Sequence, residues 1–94
     1  MPAMASYTIT NVTTVCGACP TIFDFSAIET TKHGKTKVVP LYFRLWRGHF
    51  RVCRGDTDKI LVSGPAPSGI DGVCDIAEAI GMARFAGLDI AREL

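Results

Sequence analysis

The sequence predicts an α+β fold, in which an antiparallel sheet of about four to five strands carries one C-terminal helix packed on it. Three observations support this prediction. β-branched and aromatic residues are frequent up to about residue 63, and these residue types favour strands. Gly and Pro residues divide this part of the chain into short runs. Apolar residues then recur at helical spacing towards the C-terminus, which indicates a helix.

The first predicted strands cover Ser6 to Val15 and Thr21 to Ile28, which are rich in Thr, Val, Ile and Phe. A third strand runs from about Thr36 to Trp46, and a short fifth strand covers Lys59 to Ser63. Because Pro40 has no N–H group to donate, we expect the third strand to lie at a sheet edge or to carry a bulge at that residue.

The clearest local signal is a β-hairpin between residues 41 and 53. A two-residue loop at Arg47-Gly48 would fix its register. This register places one set of pairs on the core face: Leu45 with Phe50, and Phe43 with Val52. It places a second set on the opposite face: Trp46 with His49, Arg44 with Arg51, and Tyr42 with Cys53.

The predicted helix begins after a cap at Asp71 or Asp75, because a short carboxylate accepts the unpaired N–H groups of a first turn. Gly87 is a natural stop, which leaves Leu88 to Leu94 as a terminal turn. One apolar stripe has helical spacing: Val73, Ile76, Ala77, Ile80 and Ala83. Three further apolar residues fall outside it: Met82, Phe85 and Leu88. We therefore expect these three residues to form an interface with a second copy or another partner.

Length and composition predict a single domain over residues 1–94. Hydrophobic residues make up 48% of the chain, and the mean hydropathy is +0.25. So short a chain buries only part of its apolar surface, so we expect an exposed apolar patch. No run reaches the roughly 18 apolar residues that span a bilayer, and the N-terminal residues lack the pattern of a signal peptide. These features predict a cytoplasmic location and no membrane partner.

Four cysteines raise the alternative of a metal site: Cys16, Cys19, Cys53 and Cys74. In a reducing compartment they are thiols or metal ligands rather than disulfides. Cys16 and Cys19 have the spacing of half a zinc knuckle. The other ligands would have to come from Cys53, Cys74 or His49, because no second CxxC pair follows. We predict buried thiols with no metal and no cofactor, and a small zinc-stabilised nucleic-acid-binding module stays open as the alternative.

Basic charge is concentrated in the hairpin region. Seven of the ten Lys and Arg residues lie between residues 32 and 54, and no acidic residue lies between Glu29 and Asp56. Arg44 opposite Arg51 would place like charges across a strand pair, which is unfavourable. Arginine beside aromatic residues is typical of surfaces that bind phosphates, bases or acidic proteins. The predicted binding residues are Tyr42, Arg44, Trp46, Arg47, His49 and Arg51.

No catalytic constellation is recognisable in the sequence. With only two histidines, His33 and His49, no Ser or Cys is clearly placed beside a base and an orienting acid. The glycines before the helix lack the lysine and the spacing of a phosphate loop. We therefore predict a protein that is not an enzyme and that binds a larger protein or ribonucleoprotein, with nucleic acid as a second type of partner.

Two short motifs resemble small uncharacterised proteins of phages and prophages. These are the segment Cys19-Pro20-Thr21 and the hairpin from Tyr42 to Val52, which match a CPT segment followed by a YFRxxxGxxxV hairpin. The resemblance covers roughly the central third of the chain. It implies a mobile-element context and no enzymatic role. Small phage proteins often block host machinery, and anti-CRISPR inhibitors are one such class, so the resemblance implies an inhibitor of this type.

Overall fold

A computed structural model describes residues 5–16, 21–67 and 74–93. Within these ranges six strands and one helix form the fold: β1 (Ser6–Cys16), β2 (Thr21–Thr30), β3 (Thr36–Trp46), β4 (His49–Arg54), β5 (Ile60–Pro65), α1 (Ile76–Phe85) and β6 (Asp89–Arg92). The strands make one sheet in the order β5-β4-β3-β2-β1-β6, curled into a half-barrel. The predicted sheet with one C-terminal helix is present, but it has six strands rather than four to five.

The first five strands form an antiparallel meander, in which each strand pairs with the next one along the chain. The tight turn between β3 and β4 consists of Arg47 and Gly48, with φ values of 51° and 72°. Positive φ at both positions is typical of a type I′ turn, whose twist matches that of the flanking strands. The predicted hairpin register is confirmed for every pair: Leu45–Phe50, Phe43–Val52, Trp46–His49, Arg44–Arg51 and Tyr42–Cys53.

Pro40 lies inside the sheet rather than at its edge, because β3 is flanked by β2 and β4. The last pair between β3 and β4 joins Leu41 to Arg54, so Pro40 lies next to the end of this pairing. The Pro40 carbonyl accepts a hydrogen bond there from the N–H of Gly55 at 3.0 Å. The prediction of a sheet edge or a bulge at Pro40 is therefore wrong, because β3 is an interior strand and its register with β2 continues unchanged through Pro40.

β6 forms where the sequence predicts a terminal turn, so this part of the prediction is wrong. β6 pairs in parallel with the start of β1, from Ser6 opposite Asp89 to Ile9 opposite Arg92. It has only four residues, and two of them are charged, so it lacks the run of β-branched residues that signals a strand. Pairing with a strand at the other end of the chain determines its conformation.

Local chemistry fixes both ends of α1. The Asp75 carboxylate accepts a hydrogen bond from the Glu78 N–H at 2.7 Å, and the Glu78 carboxylate accepts one from the Asp75 N–H at 3.0 Å. This reciprocal pair is a capping box. Gly87 follows the helix with φ of 105°, the left-handed conformation that ends many helices. The predicted cap at Asp75 and the stop at Gly87 are confirmed, and the alternative cap, Asp71, lies outside the described residues.

The core lies between the inner face of the sheet and α1. Alternate residues of the strands face it, which is the expected period of a half-buried strand. Its buried members are Tyr7, Ile9, Phe23, Phe25, Ala27, Val39, Leu41, Phe43, Leu45, Phe50, Val52, Cys74, Ala79, Met82, Ala83, Leu88 and Ile90. No helix in the described parts of the chain is long and apolar enough to cross a membrane.

The core-facing side of α1 differs from the predicted stripe. Met82 and Leu88 are buried, whereas Ala77 is exposed. The helix packs against β6 and β4, and this contact turns Met82 inwards. The prediction that Met82 and Leu88 lie outside the core is therefore wrong, because both are buried in the core cluster. Phe85 is 96% exposed, and its place at an interface stays a prediction.

Candidate binding face on the hairpin

Six side chains of the β3–β4 hairpin form one surface on the side of the sheet that faces away from α1. We call this surface the basic face, and its members are Tyr42, Arg44, Trp46, Arg47, His49 and Arg51. Strand alternation brings them together, because the residues between them along β3 and β4 point into the core. All six predicted binding residues therefore lie in or beside two neighbouring strands. The type I′ turn places Arg47 back over this surface.

Trp46 lies at the centre of the basic face and is 39% exposed. The guanidinium carbon of Arg44 lies 6.0 Å from the centroid of the indole ring, and that of Arg47 lies 5.2 Å from it. Both distances are within the range of a cation–π contact. The indole ring therefore holds two positive charges near each other at the tip of the hairpin.

Arg44 is half-buried, whereas Arg51 opposite it is exposed. The Nε atom of Arg44 is buried and has no hydrogen-bond partner among the described residues. An unsatisfied buried donor of this kind typically costs about 1–3 kcal/mol. Only Arg51 of this cross-strand pair is therefore exposed, and Arg44 is partly covered by the fold.

The arginines of the basic face have no carboxylate partner in the described part of the chain. The ion pairs found there all involve Arg54, which binds Glu29 and Asp56. Like charges directly across an antiparallel pair are destabilising, and no described carboxylate lies within ion-pair distance of Arg44 or Arg51. The basic face therefore carries positive charge that the fold itself does not neutralise.

Arg47 adopts a backbone conformation that is unfavourable for its residue type. Its φ of 51° lies in the left-handed region, which costs an L-residue other than Gly, Asn or Asp roughly 1–2 kcal/mol. Type I′ turns favour Asn-Gly at these positions. An arginine here places a guanidinium group over Trp46 at the expense of turn stability.

A cleft of about 470 Å³ borders the basic face on the side of Tyr42. It also contains Asp24, Cys53 and Asp58, and Asp24 lies directly opposite Tyr42 in the sheet. Asp24 and Asp58 lie at the border of the basic face on this side, so its positive charge is least compensated near the hairpin tip. Sequence reasoning missed Asp24 because its position depends on the register between β2 and β3.

A second polar cluster, the latch, joins Tyr7, Glu29, Arg54 and Asp56. The Tyr7 hydroxyl donates to Glu29 Oε2 at 2.8 Å, and Arg54 Nη1 donates to the same oxygen at 3.3 Å. Arg54 also holds Asp56 with two hydrogen bonds, of 3.1 Å and 2.7 Å. The latch therefore connects β1, β2 and β4 around the intervening strand β3. Arg54, which belongs to the basic run of the sequence, is neutralised here.

Burial and hydrogen bonding shift the ionisation of the latch. Burial raises the pKa of Tyr7 to about 12, with a further contribution from its hydrogen bond to Glu29. Hydrogen bonds from Arg54 lower the pKa of Asp56, and the same contact raises the pKa of Arg54. The latch thus favours a protonated tyrosine, a charged arginine and a charged aspartate.

Cys53 and Cys74 lie in different environments. Cys53 lines the cleft beside the basic face, whereas Cys74 belongs to the core cluster. Burial raises the pKa of the Cys74 thiol to about 11, and Glu78 and Asp75 add to this shift. Cys53 and Cys74 therefore do not form a second pair of zinc ligands. Cys19 and the side chain of Cys16 lie outside the described residues, and no group of three metal-ligating side chains occurs within them.

Comparison with known proteins assigns the chain to no family. The resemblance to phage and prophage proteins rests on the two short motifs, of which Cys19-Pro20 lies outside the described residues. No family model, no curated protein and no solved structure matches the chain.

Proposed function

We propose that the protein is a non-enzymatic binding protein whose basic face occupies an anionic site on a larger protein or ribonucleoprotein. One observation carries the proposal. Arg44 and Arg47 lie over Trp46, Arg51 lies opposite Arg44, and none of the three has a carboxylate partner among the described residues. A partner that supplies carboxylates or phosphates would satisfy these donors on binding, and Arg and Trp are frequent among the residues that dominate binding energy at interfaces.

The contacts of Trp46 favour an acidic protein surface over stacked bases. A base that stacks on the indole ring competes with Arg44 and Arg47, whose guanidinium groups lie within 6.0 Å of its centroid. Carboxylates instead bind the outward N–H groups of both arginines and leave these contacts in place. The resemblance to phage proteins extends the proposal, because small phage proteins often block host machinery. With a partner in such machinery, the protein would be an inhibitor of the anti-CRISPR type.

The test compares two double variants in a pull-down from a cell lysate, followed by mass spectrometry. Arg44→Glu with Arg51→Glu reverses the charge of the basic face. Lys32→Glu with Lys35→Glu makes the same change in net charge at exposed residues of the β2–β3 turn. We expect the first variant to lose the specific partner and the second to retain it.

Two readings of the same experiment identify the class of partner. Capture that survives nuclease treatment indicates a protein, and capture that is lost indicates nucleic acid. Phosphate contacts also give a steep dependence of log affinity on log salt concentration. If the basic-face variant folds and still retains every partner, or if the control variant loses them equally, the proposal is wrong.

A further inference from the structure

An apolar groove lies between β5 and α1, on the side of the sheet opposite to the basic face. Its volume is about 910 Å³. Phe50 of β4 lines it, together with Gly64 and Pro65 of β5 and with Met82 and Phe85 of α1. Phe85 is the most exposed of the large apolar residues in the described part of the chain. A side chain of this size at the rim of an apolar groove indicates a surface that another molecule covers.

The strand that borders this groove has an open edge. β5 is the last strand of the sheet, and its far side pairs with no strand among the described residues. Its six residues carry no charge, whereas the opposite edge strand, β6, is shorter and has Asp89 and Arg92. Proteins usually protect edge strands by shortness and by charge. β6 has both forms of protection, whereas β5 has neither and is blunted by an irregularity opposite Val52 and Cys53 and by Pro65 at its end.

Hydrogen-bond direction shows which groups the edge offers. The Ala66 N–H donates to the Gly48 carbonyl at 2.7 Å, so Ala66 points towards the β3–β4 hairpin. Because this direction alternates along an antiparallel strand, the N–H and C=O of Ser63 point away from β4. These groups are in position to pair with one further strand.

We propose that an extended segment of a partner protein adds to β5 at this edge and places alternate apolar side chains in the groove. Main-chain pairing combined with side-chain pockets is a known mode of peptide recognition. The charge of the groove specifies the segment further. Glu78 lines the groove, Asp75 is exposed next to it, and no Lys or Arg is among the described lining residues. The segment therefore carries a Lys or Arg that meets Glu78.

The size of the groove favours a short segment over a second copy of this chain. Its volume lies within the range of roughly 300–1,000 Å³ found for ligand pockets. Only eleven described residues line it, whereas a stable protein interface uses about 20–30 residues on each side. This inference does not depend on the proposed function, because the basic face is on the other side of the sheet.

The test selects eight-residue peptides from a displayed random library and measures their affinity by fluorescence anisotropy. We expect enriched peptides to alternate apolar and polar residues and to contain one Lys or Arg. Ser63→Pro should weaken their binding at least tenfold, because it removes an edge N–H without removing a bond to β4. Phe85→Ala should have an effect of similar size. Lys32→Gln, in the exposed β2–β3 turn, serves as the control and should leave the affinity unchanged.

Two further measurements keep the test decisive if a variant folds poorly. With the wild-type protein, N-methylation of alternate peptide amides should weaken binding at least tenfold, since it blocks strand pairing. Glu78→Gln retains the capping box and should reduce the preference for a Lys-containing peptide over its Gln counterpart by about fivefold. Absence of enriched peptides, affinity unchanged by N-methylation, or a dimer that Ser63→Pro dissociates in light scattering would each overturn the proposal.

Discussion

Arg44 and Arg54 are half-buried arginines on neighbouring strands, and they have opposite surroundings. Arg54 donates hydrogen bonds to two carboxylates, those of Glu29 and Asp56. Arg44 faces Trp46 and Arg51, and its buried Nε has no partner among the described residues. A guanidinium group that the fold has paired contributes to stability. One that remains unpaired weakens the fold and retains its capacity to bind an anion.

The latch joins strands that are not neighbours in the sheet. Glu29 of β2 accepts hydrogen bonds from Tyr7 of β1 and from Arg54 of β4, although β3 lies between β2 and β4. The basic face has no comparable link, because its contacts stay within one hairpin.

Replacing Arg54 and Arg44 in turn tests this comparison, and we expect it to give the largest difference in stability. Arg54→Met leaves Glu29, which is 7% exposed, without its ion-pair partner, and should lower the free energy of unfolding by about 2–3 kcal/mol. Arg44→Met removes an unsatisfied donor but also the cation–π contact with Trp46, so the two effects oppose each other and the free energy of unfolding should change by less than about 1 kcal/mol. Urea unfolding of both variants measures the difference. Equal losses would show that the two arginines serve the fold alike.

Alkaline pH should weaken the latch. Folding raises the pKa of Tyr7 from 10.0 to about 12, so the fold favours the protonated phenol. The corresponding stability is fully present below pH 10 and is lost as the pH rises towards 12. A shift of this size is worth about 2–3 kcal/mol, since each pKa unit corresponds to about 1.4 kcal/mol.

The measurement is urea unfolding between pH 8.5 and about 11.5, where the two states bind different numbers of protons. Tyr7→Phe should remove this part of the pH dependence. Tyr42→Phe provides the matched control, because Tyr42 is the other tyrosine of the chain and lies on the basic face. An unchanged alkaline slope in Tyr7→Phe would contradict the assignment.

Local and non-local features differ in how well the sequence predicted them. The hairpin register follows from residue alternation and a two-residue turn. Asp75 and Gly87 lie next to the ends of α1 in the sequence, so their effects on the helix ends are local. The latch could not be predicted in this way, because Arg54 and Glu29 are 25 positions apart in the chain. Arg54 therefore appeared to be one more residue of a basic run.

The same distinction explains the errors in the helix and in the last strand. The orientation of α1 depends on its contacts with β6 and β4, so Met82 was assigned to the wrong side. β6 depends on pairing with β1 at the other end of the chain. For the candidate site, the sequence predicted the register that brings the six side chains together, and their role in binding stays a prediction. It did not predict the burial of Arg44 Nε, which depends on packing in three dimensions.

The turn residue Arg47 should show a smaller effect, in which stability and binding change in opposite directions. Arg47→Asn replaces a residue strained at φ 51° with one that tolerates this conformation. We expect the free energy of unfolding to rise by about 0.5–1 kcal/mol. The affinity for the captured partner should fall, because a cation beside Trp46 is lost. Thermal unfolding and a binding titration check the two effects, and a loss of stability would show that Arg47 contributes to the turn.

The smallest expected effect concerns the repulsion between Arg44 and Arg51. Arg51 is exposed, so Arg51→Gln removes one charge of the pair while leaving the core untouched. We expect the free energy of unfolding to rise by a few tenths of a kcal/mol at low salt, which is the usual size of a cross-strand charge effect. At about 1 M salt the gain should disappear, because the screening length falls to roughly 3 Å. Lys32→Gln, in the exposed β2–β3 turn, controls for net charge and should show no such salt-dependent gain. A decrease in stability at low salt would mean that a carboxylate already neutralises Arg51. The contrast between the paired arginine of the latch and the unpaired arginines of the basic face would then be wrong.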